Sequence, residues 1–567
     1  MNLESEFEVA EIFCRSVTIE RKGCAAYETE KPCQVFLNGK AWLSTHRTVI
    51  TVDGLLPDAE YEIEIRECEE GGNVNAADGG RENEKGGNVN AADGGQESEE
   101  GGNKNPAGFV QKVRTRHESF LLSVKDFGAR GDGVSPDTAA IQAAIMACPP
   151  EGTVYFPKGT YFSGPLFLKS HVSLWLDEGA TLLGDPDRAH YPVLPGMIRN
   201  LYDNDKEYSV ASWEGNPLDC FASLLTGIGV MDVDVFGRGV IDGNAAAGDW
   251  WEDVRNKRGA WRPRTVFFSG CKNVRMQSLT VRNSPSWTIH PYYCDHVRLL
   301  NLTIQNPEEA PNTDGVDPES CEDLMILGTR ISVGDDCIAI KSGKLYMAQH
   351  HCKKTKNVVI RNCLFEKGHG SVTMGSEVAG GIEGVYVSDC IFRGTDRGVR
   401  VKTRRGRGRK ALITGMTFER IRMENVQMPV TLNMFYFCDP DGHTPYVQGQ
   451  DPLPVDYRTP KIGTLLLKDV ECVGVDACFV CAYGLPEEPI EKIVLENVRA
   501  SFLPKEERSP KRPIMMDNFE AMSGRSLFIK NVKELVCRDT CISGSEDKEP
   551  AIIACEKQDV EGLKIVP

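Results

Sequence analysis

The strongest constraint on this chain is a staggered internal repeat that fills its middle and end. Segments such as CKNVRMQSLTVRN from Cys271, CDHVRLLNLTIQN from Cys294, CEDLMILGTRISV from Cys321, TKNVVIRNCLFEK from Thr355 and IEGVYVSDCIFRG from Ile382 align on one apolar position. That position, a valine or its equivalent, falls at 274, 297, 324, 358, 385 and 416, giving periods of 23, 27, 34, 27 and 31 residues. Later copies include TLLLKDVECVGV, IEKIVLENVRAS and SLFIKNVKELVC. Repeats of this length mean a solenoid or a propeller, and a propeller blade would need ~40–45 residues and four strands. Each repeat here holds two or three short β runs between turns. The expected architecture is therefore all-β, a right-handed parallel β-helix spanning 123–560, in which residues one coil apart become neighbours at roughly 4.8 Å.

Cys271, Cys294 and Cys321 occupy one column of that repeat, so they are expected to stack as small buried side chains. The 20 cysteines spread through 567 residues read as reduced core residues for the same reason. Ahead of the coils, DTAAIQAAIMAC predicts an amphipathic helix that covers the exposed first rung. Its apolar stripe is Ala139, Ile141, Ala144, Ile145 and Ala147, with Asp137 at the N-cap.

Residues 9–117 have a different texture, with short alternating runs such as SVTIE, HRTVITV and YEIEIR separated by turns. Leu56-Pro57 followed by Tyr61 resembles the tyrosine corner of fibronectin type III sandwiches, which implies a small N-terminal β-sandwich. Within it, GGNVNAADGG occurs at 71–80 and again at 86–95. With almost nothing apolar to bury, the stretch at about 69–107 is expected to be a disordered insertion.

A coil-long separation turns sequence distance into contact. Asp314 in NTDG lies 21 and 22 residues before Asp335 and Asp336 of GDD. His369 in GHG lies 33 beyond Asp336, and Arg400 and Lys402 in RGVRVKT lie 31 and 33 beyond His369. Carboxylates gathered on one face repel, so one proton is retained beside an ionised base, which is what glycoside hydrolysis requires. Arg400 and Lys402, two apart on a strand, project to one side and form a cationic patch. Arg404, Arg405, Arg407 and Arg409 extend it as an expected solvated, substrate-proximal loop. A local cationic patch in a chain of net charge −17 points to a carboxylate-bearing sugar and away from nucleic acid.

NTDG, GDD, GHG and RVK, in this order, resemble the polygalacturonases of glycoside hydrolase family 28. The resemblance covers about 123–540 and implies metal-free, cofactor-free hydrolysis of α-1,4-galacturonosidic bonds with inversion. It implies Asp335 as proton donor, Asp314 and Asp336 as joint holders of the attacking water, and His369 as support for the acid. It also implies Arg400 and Lys402 as the grip on the galacturonate carboxylate. Tyr436 in LNMFYFCD is the nearest counterpart of a family tyrosine that binds substrate. Val401 replaces the usual isoleucine of the RIK motif.

Other residues carry plainer expectations. Trp250, Trp251 and Trp287 suit sugar stacking and core packing equally. Cys478 and Cys481 lack a second pair at zinc-like spacing, and His350-His351-Cys352 reads as a polar loop. Long segments at 185–235 and 437–460 are expected to wall one end of the groove, which favours release from a chain end. Alternatives are a rhamnogalacturonan or xylogalacturonan hydrolase, a calcium-dependent pectate lyase, and a silent carbohydrate-binding protein. The absence of an apolar run of ~18 residues or a hydrophobic leader predicts no membrane span and a cytoplasmic enzyme acting on acidic oligosaccharides.

Overall fold

The computed structural model describes residues 6–23, 27–67 and 109–566. The repeat insertion expected at about 69–107 lies outside the described residues. The chain forms two compact units that divide between Arg116 and His117.

In the N-terminal unit, strands Phe7–Ile12, Ser16–Arg21 and Val49–Asp53 form one antiparallel sheet. Glu28–Leu37, Lys40–Arg47, Glu60–Glu67 and Phe109–Arg114 form a second. Alternation puts Val17, Ile19, Val35, Ile50, Ile63 and Ile65 into a common core. The Tyr61 hydroxyl accepts a hydrogen bond from the Leu56 amide at 2.9 Å, closing the corner expected from the sequence.

The second unit is a right-handed parallel β-helix. Its register reproduces the repeat: Val274 pairs with Val297, then Leu324, Val358, Val385, Met416, Leu465, Ile493 and Leu535 in turn. These residues point inward and form the solenoid core. The position just before the column takes a left-handed backbone: Asn273, His296, Asp323 and Asn357 have φ between 55° and 57°, and Gly384 and Gly415 follow. Asn, Asp and Gly tolerate this region, which explains the polar residue that precedes each valine. Cys271, Cys294 and Cys321 are buried in the same core.

The predicted helix spans Thr138–Ala147, but its buried face is Ile141, Ala144 and Ile145. Ala139 and Ala147 are exposed, so the stripe is narrower than expected and continues to Cys148. Asp137 stands at the N-cap without a capping bond. Its carboxylate instead accepts from the Arg130 and Gly131 amides at 2.6 and 2.9 Å, so the preceding loop has claimed both oxygens.

Candidate active site

The sequence motifs are laced together by main-chain hydrogen bonds. The Gly315 amide of NTDG donates to the Asp336 carbonyl at 3.0 Å, and the His369 amide of GHG donates to the Asp335 carbonyl at 3.0 Å. Strand Asp336–Ile340 pairs with Gly370–Met374, which pairs with Arg397–Lys402. Asp336 lies opposite Gly370, so Arg400 and Lys402 stand two rungs away, on the order of 10 Å between backbones. Their long side chains cross that gap. Arg400 Nη1 reaches Asp336 Oδ1 at 2.9 Å, and Lys402 Nζ reaches Oδ2 at 2.8 Å. Gly370 makes this possible: a Cβ there would fall 2.5 Å from Asp336 Oδ1 and 3.3 Å from Arg400 Cδ.

One oxygen each from Asp314, Asp335 and Asp336 lies within 4.8 Å of the others. Their environments separate their charges. Asp314 is buried, and burial, reinforced by the Asp335 carboxylate, pushes its carboxyl well above the usual range, so it keeps its proton. Burial pushes Asp336 upward too, but Lys402 and Arg400 together outweigh it and hold the carboxyl well below the usual range. Asp335 is only half-buried and is the most accessible of the three. An opposed pair that admits water between acid and base stands ~6.5–9.5 Å apart. The nearest oxygens of these three acids lie closer than that, within 4.8 Å.

His369 Nδ1 lies 2.8 Å from Asp396 Oδ2, and Gln427 Nε2 donates to the other oxygen of Asp396 at 3.0 Å. The hydrogen bond to Asp396 raises the His369 imidazole above its ordinary value, against the opposing effect of burial. Sequence reasoning missed Asp396, although it lies 27 residues past His369, one of the repeat periods. It also missed a buried charge network beside the acids. Lys341 Nζ lies 3.4 Å from Asp317 Oδ1 and 3.2 Å from Glu377 Oε2, over the ring of Trp287. Burial pushes Asp317 up to about 8. Glu377 resists the same effect because Lys341, Lys344 and Arg407 surround it, and its carboxyl falls below the usual range. Lys341 follows GDD by one strand and shares its alternation, which was a readable signal.

Tyr436 is buried against the cationic pair, with Lys402 Nζ 5.4 Å from its ring centroid. A recess beside it is lined by Arg397, Lys402, Asn433, Tyr436, Pro513 and Met515. Arg404, Arg405 and Arg407, expected in a solvated loop, are instead buried and paired. Arg404 binds Asp439 and Asp441, Arg405 binds Glu487 at 2.6 Å, and Arg407 binds Asp439 at 2.7 Å. A buried guanidinium needs a carboxylate partner, and the 437–460 segment and Glu487 supply them. These arginines build the scaffold and do not extend the cationic patch. Trp250 packs under Tyr191 and Phe221, and Trp287 lies in a stack with Trp213, so both belong to the interior. The cysteines of the second unit are free thiols. As a cation site the acidic cluster is poor, because both oxygens of Asp336 are already bonded to cations and Asp314 keeps its proton, where calcium wants several free carboxylate oxygens.

The model of the glycosyl hydrolases of family 28 matches residues 203–448, a stretch that contains all seven proposed site residues. Over this stretch the chain is similar to the glycosyl hydrolases of family 28. A second model, rhamnogalacturonase A/epimerase, pectate lyase-like, matches 121–209 and ends before the first of the family 28 acids. A protein from Vitis vinifera named "Probable polygalacturonase" is 29% identical over 404 residues, covering 68% of this chain and 76% of that protein. The exo-poly-alpha-D-galacturonosidase of Dickeya chrysanthemi is 26% identical, covering 59% of this chain and 60% of its own length. The family 28 exopolygalacturonase of Yersinia enterocolitica has the same fold, with a TM-score of 0.66 at 20% identity over 98% of both chains.

Proposed function

We infer that this protein is a polygalacturonase that hydrolyses α-1,4 links between galacturonates. The observation that carries the reading is the juxtaposition of three carboxyl groups within 4.8 Å with the buried pair Arg400 and Lys402, in a chain of net charge −17. An acidic protein that concentrates two cations beside its acids is built for a sugar that carries a carboxylate of its own.

Asp335 is the accessible carboxyl and delivers the proton to the departing oxygen. Asp314, protonated, donates to and positions the water, and Asp336 accepts the water's proton. No carboxylate is free to attack carbon: Asp314 is neutral and Asp336 is tied to two cations. Water is therefore the nucleophile on this reading, with the inversion of the anomeric centre that the resemblance to family 28 implies. His369, held by Asp396, lies next to Asp335 and supports its charge states.

Release proceeds from a chain end. Two long segments meet at Lys344, whose amide donates to the Gly215 carbonyl at 2.8 Å and whose ammonium lies 2.8 Å from Asp439 Oδ1 and 3.8 Å from Glu214 Oε2. On this reading they wall one end of the substrate groove. A time course on polygalacturonate tests both parts. Monomer as the first product, in the inverted anomer, is expected. Mixed oligomers from the outset would replace chain-end release by internal cleavage, and an ultraviolet-absorbing unsaturated product lost to chelator would replace hydrolysis by elimination.

A further inference from the structure

Arg400 and Lys402 have two claimants. Both are occupied by Asp336, one cation on each oxygen, at 2.9 and 2.8 Å. All three side chains are almost fully buried: Asp336 is 1% exposed, Arg400 8% and Lys402 9%. Yet these are the two cations that the hydrolase reading assigns to the substrate's carboxylate. A carboxylate that accepts two charge-assisted hydrogen bonds in a buried site is a poor proton acceptor, and Asp336 is the group that must take a proton from water.

We propose that the Arg400–Lys402 pair couples recognition of the substrate's carboxylate to activation of Asp336. On this proposal, which rests on the polygalacturonase reading, a galacturonate carboxylate arriving at the pair draws N–H groups from Asp336. The released oxygen of Asp336 then accepts a proton from the water, whose oxygen bonds to the anomeric carbon. The glycosidic bond breaks toward the departing oxygen, which takes the proton of Asp335. One water is consumed and one proton passes from acid to base. The substrate's charge is thus part of the chemical step as well as of binding. A neutral sugar in the same place leaves Asp336 quenched.

The geometry supports the exchange. Gly370 leaves the space between Asp336 and Arg400 without a side chain. Lys402 has a second neighbour in the Tyr436 ring, and Arg400 Nη2 meets the sulfur of Met515, a weak acceptor, at 3.6 Å. Each cation therefore has capacity directed toward the recess that adjoins the pair.

Because coupling is reciprocal, Asp336 and the substrate's carboxylate must weaken one another's hold. Calorimetry on the full chain should find that Asp336→Asn binds trigalacturonate at least about tenfold tighter than the parent, while a carboxyl-reduced trimer binds equally to both. Equal or weaker binding of trigalacturonate by the variant overturns the coupling even if the parent hydrolyses polygalacturonate. Tighter binding in a parent that hydrolyses nothing leaves the coupling standing and overturns the hydrolase reading. If Asp336→Asn does not fold, the parent's saturating rates decide. A kcat on the carboxyl-reduced oligomer about 10²-fold below that on the charged one supports the proposal, since general base help is of that order. Equal kcat values with only KM changed overturn it.

Discussion

Asp396 holds the Nδ1 side of the His369 imidazole at 2.8 Å from the neighbouring coil, and this pairing fixes both the orientation and the charge of the ring beside Asp335. The raised imidazole pKa means that His369 keeps its proton to a higher pH than a free histidine and loses it as pH rises through that raised value. Asp396 is shifted the opposite way, its carboxyl lying below the usual range because His369 outweighs the effect of burial.

Asp396→Asn should therefore lower activity by up to about 10²-fold, the scale of a small misplacement in an active site. It should also move the alkaline limb of the pH–rate profile to lower pH. An alkaline limb that stays in place would show that His369 acts without this partner.

Replacing Asp335 by Asn should remove the proton donor while sparing the fold, because the side chain is only half-buried and an amide fits the same space. The rate of reducing-sugar release should fall ~10²–10⁴-fold. An unchanged melting temperature would assign the loss to chemistry.

Asp314→Asn should abolish activity and yet stabilise the protein at neutral pH. An acid whose folded pKa is raised favours the folded state most below its unfolded value of ~3.9, and that advantage is lost as pH rises toward the folded value. The amide mimics the protonated acid without needing a proton. Melting curves should show a gain at pH 7 that vanishes near pH 3, and a loss at pH 7 would contradict the assignment of a proton to Asp314.

Gly370→Ala tests the passage through which the cations reach Asp336. The added methyl would lie 2.4 Å from Thr373 Oγ1 and 2.5 Å from Asp336 Oδ1, so something must move. We expect kcat to drop about 10²-fold, as for other displacements of about 1 Å in an active site, with the solenoid intact by circular dichroism. Wild-type turnover would mean that the pairing seen around Gly370 is not needed.

The arginines after Lys402 should act on stability. Arg405 is 1% exposed and pairs with Glu487, so Arg405→Ala strands a buried carboxylate and should cost about 3–5 kcal/mol in denaturant unfolding. Arg409, whose side chain is 47% exposed, should cost about 1 kcal/mol or less on the same substitution. Equal losses would argue against the burial distinction.

The repeat column was fully readable, since the residues at 274, 297, 324, 358, 385 and 416 are successive register partners in the solenoid. The adjacency of NTDG, GDD, GHG and RVK followed from the same period. Arg404, Arg405 and Arg407 were misread because charge and interspersed glycine signal a solvated loop in one dimension. The carboxylates that bury them come from Asp439, Asp441 and Glu487, more than a coil away. Asp137 was misread for a related reason: two loop amides take its two oxygens, one each, before the helix can use either.

Sequence alone settled what recurs: a period sets the coil, the coil stacks like on like, and stacking brings acids and bases to neighbouring rungs. Tertiary structure alone decided which charge neutralises which. Arg400 and Lys402 fall on Asp336, Asp396 on His369, and Lys341 between Asp317 and Glu377. The physical reason is one of reach. Backbone register is local and periodic, whereas side chains several ångströms long choose partners across rungs according to burial and open space, which no spacing encodes.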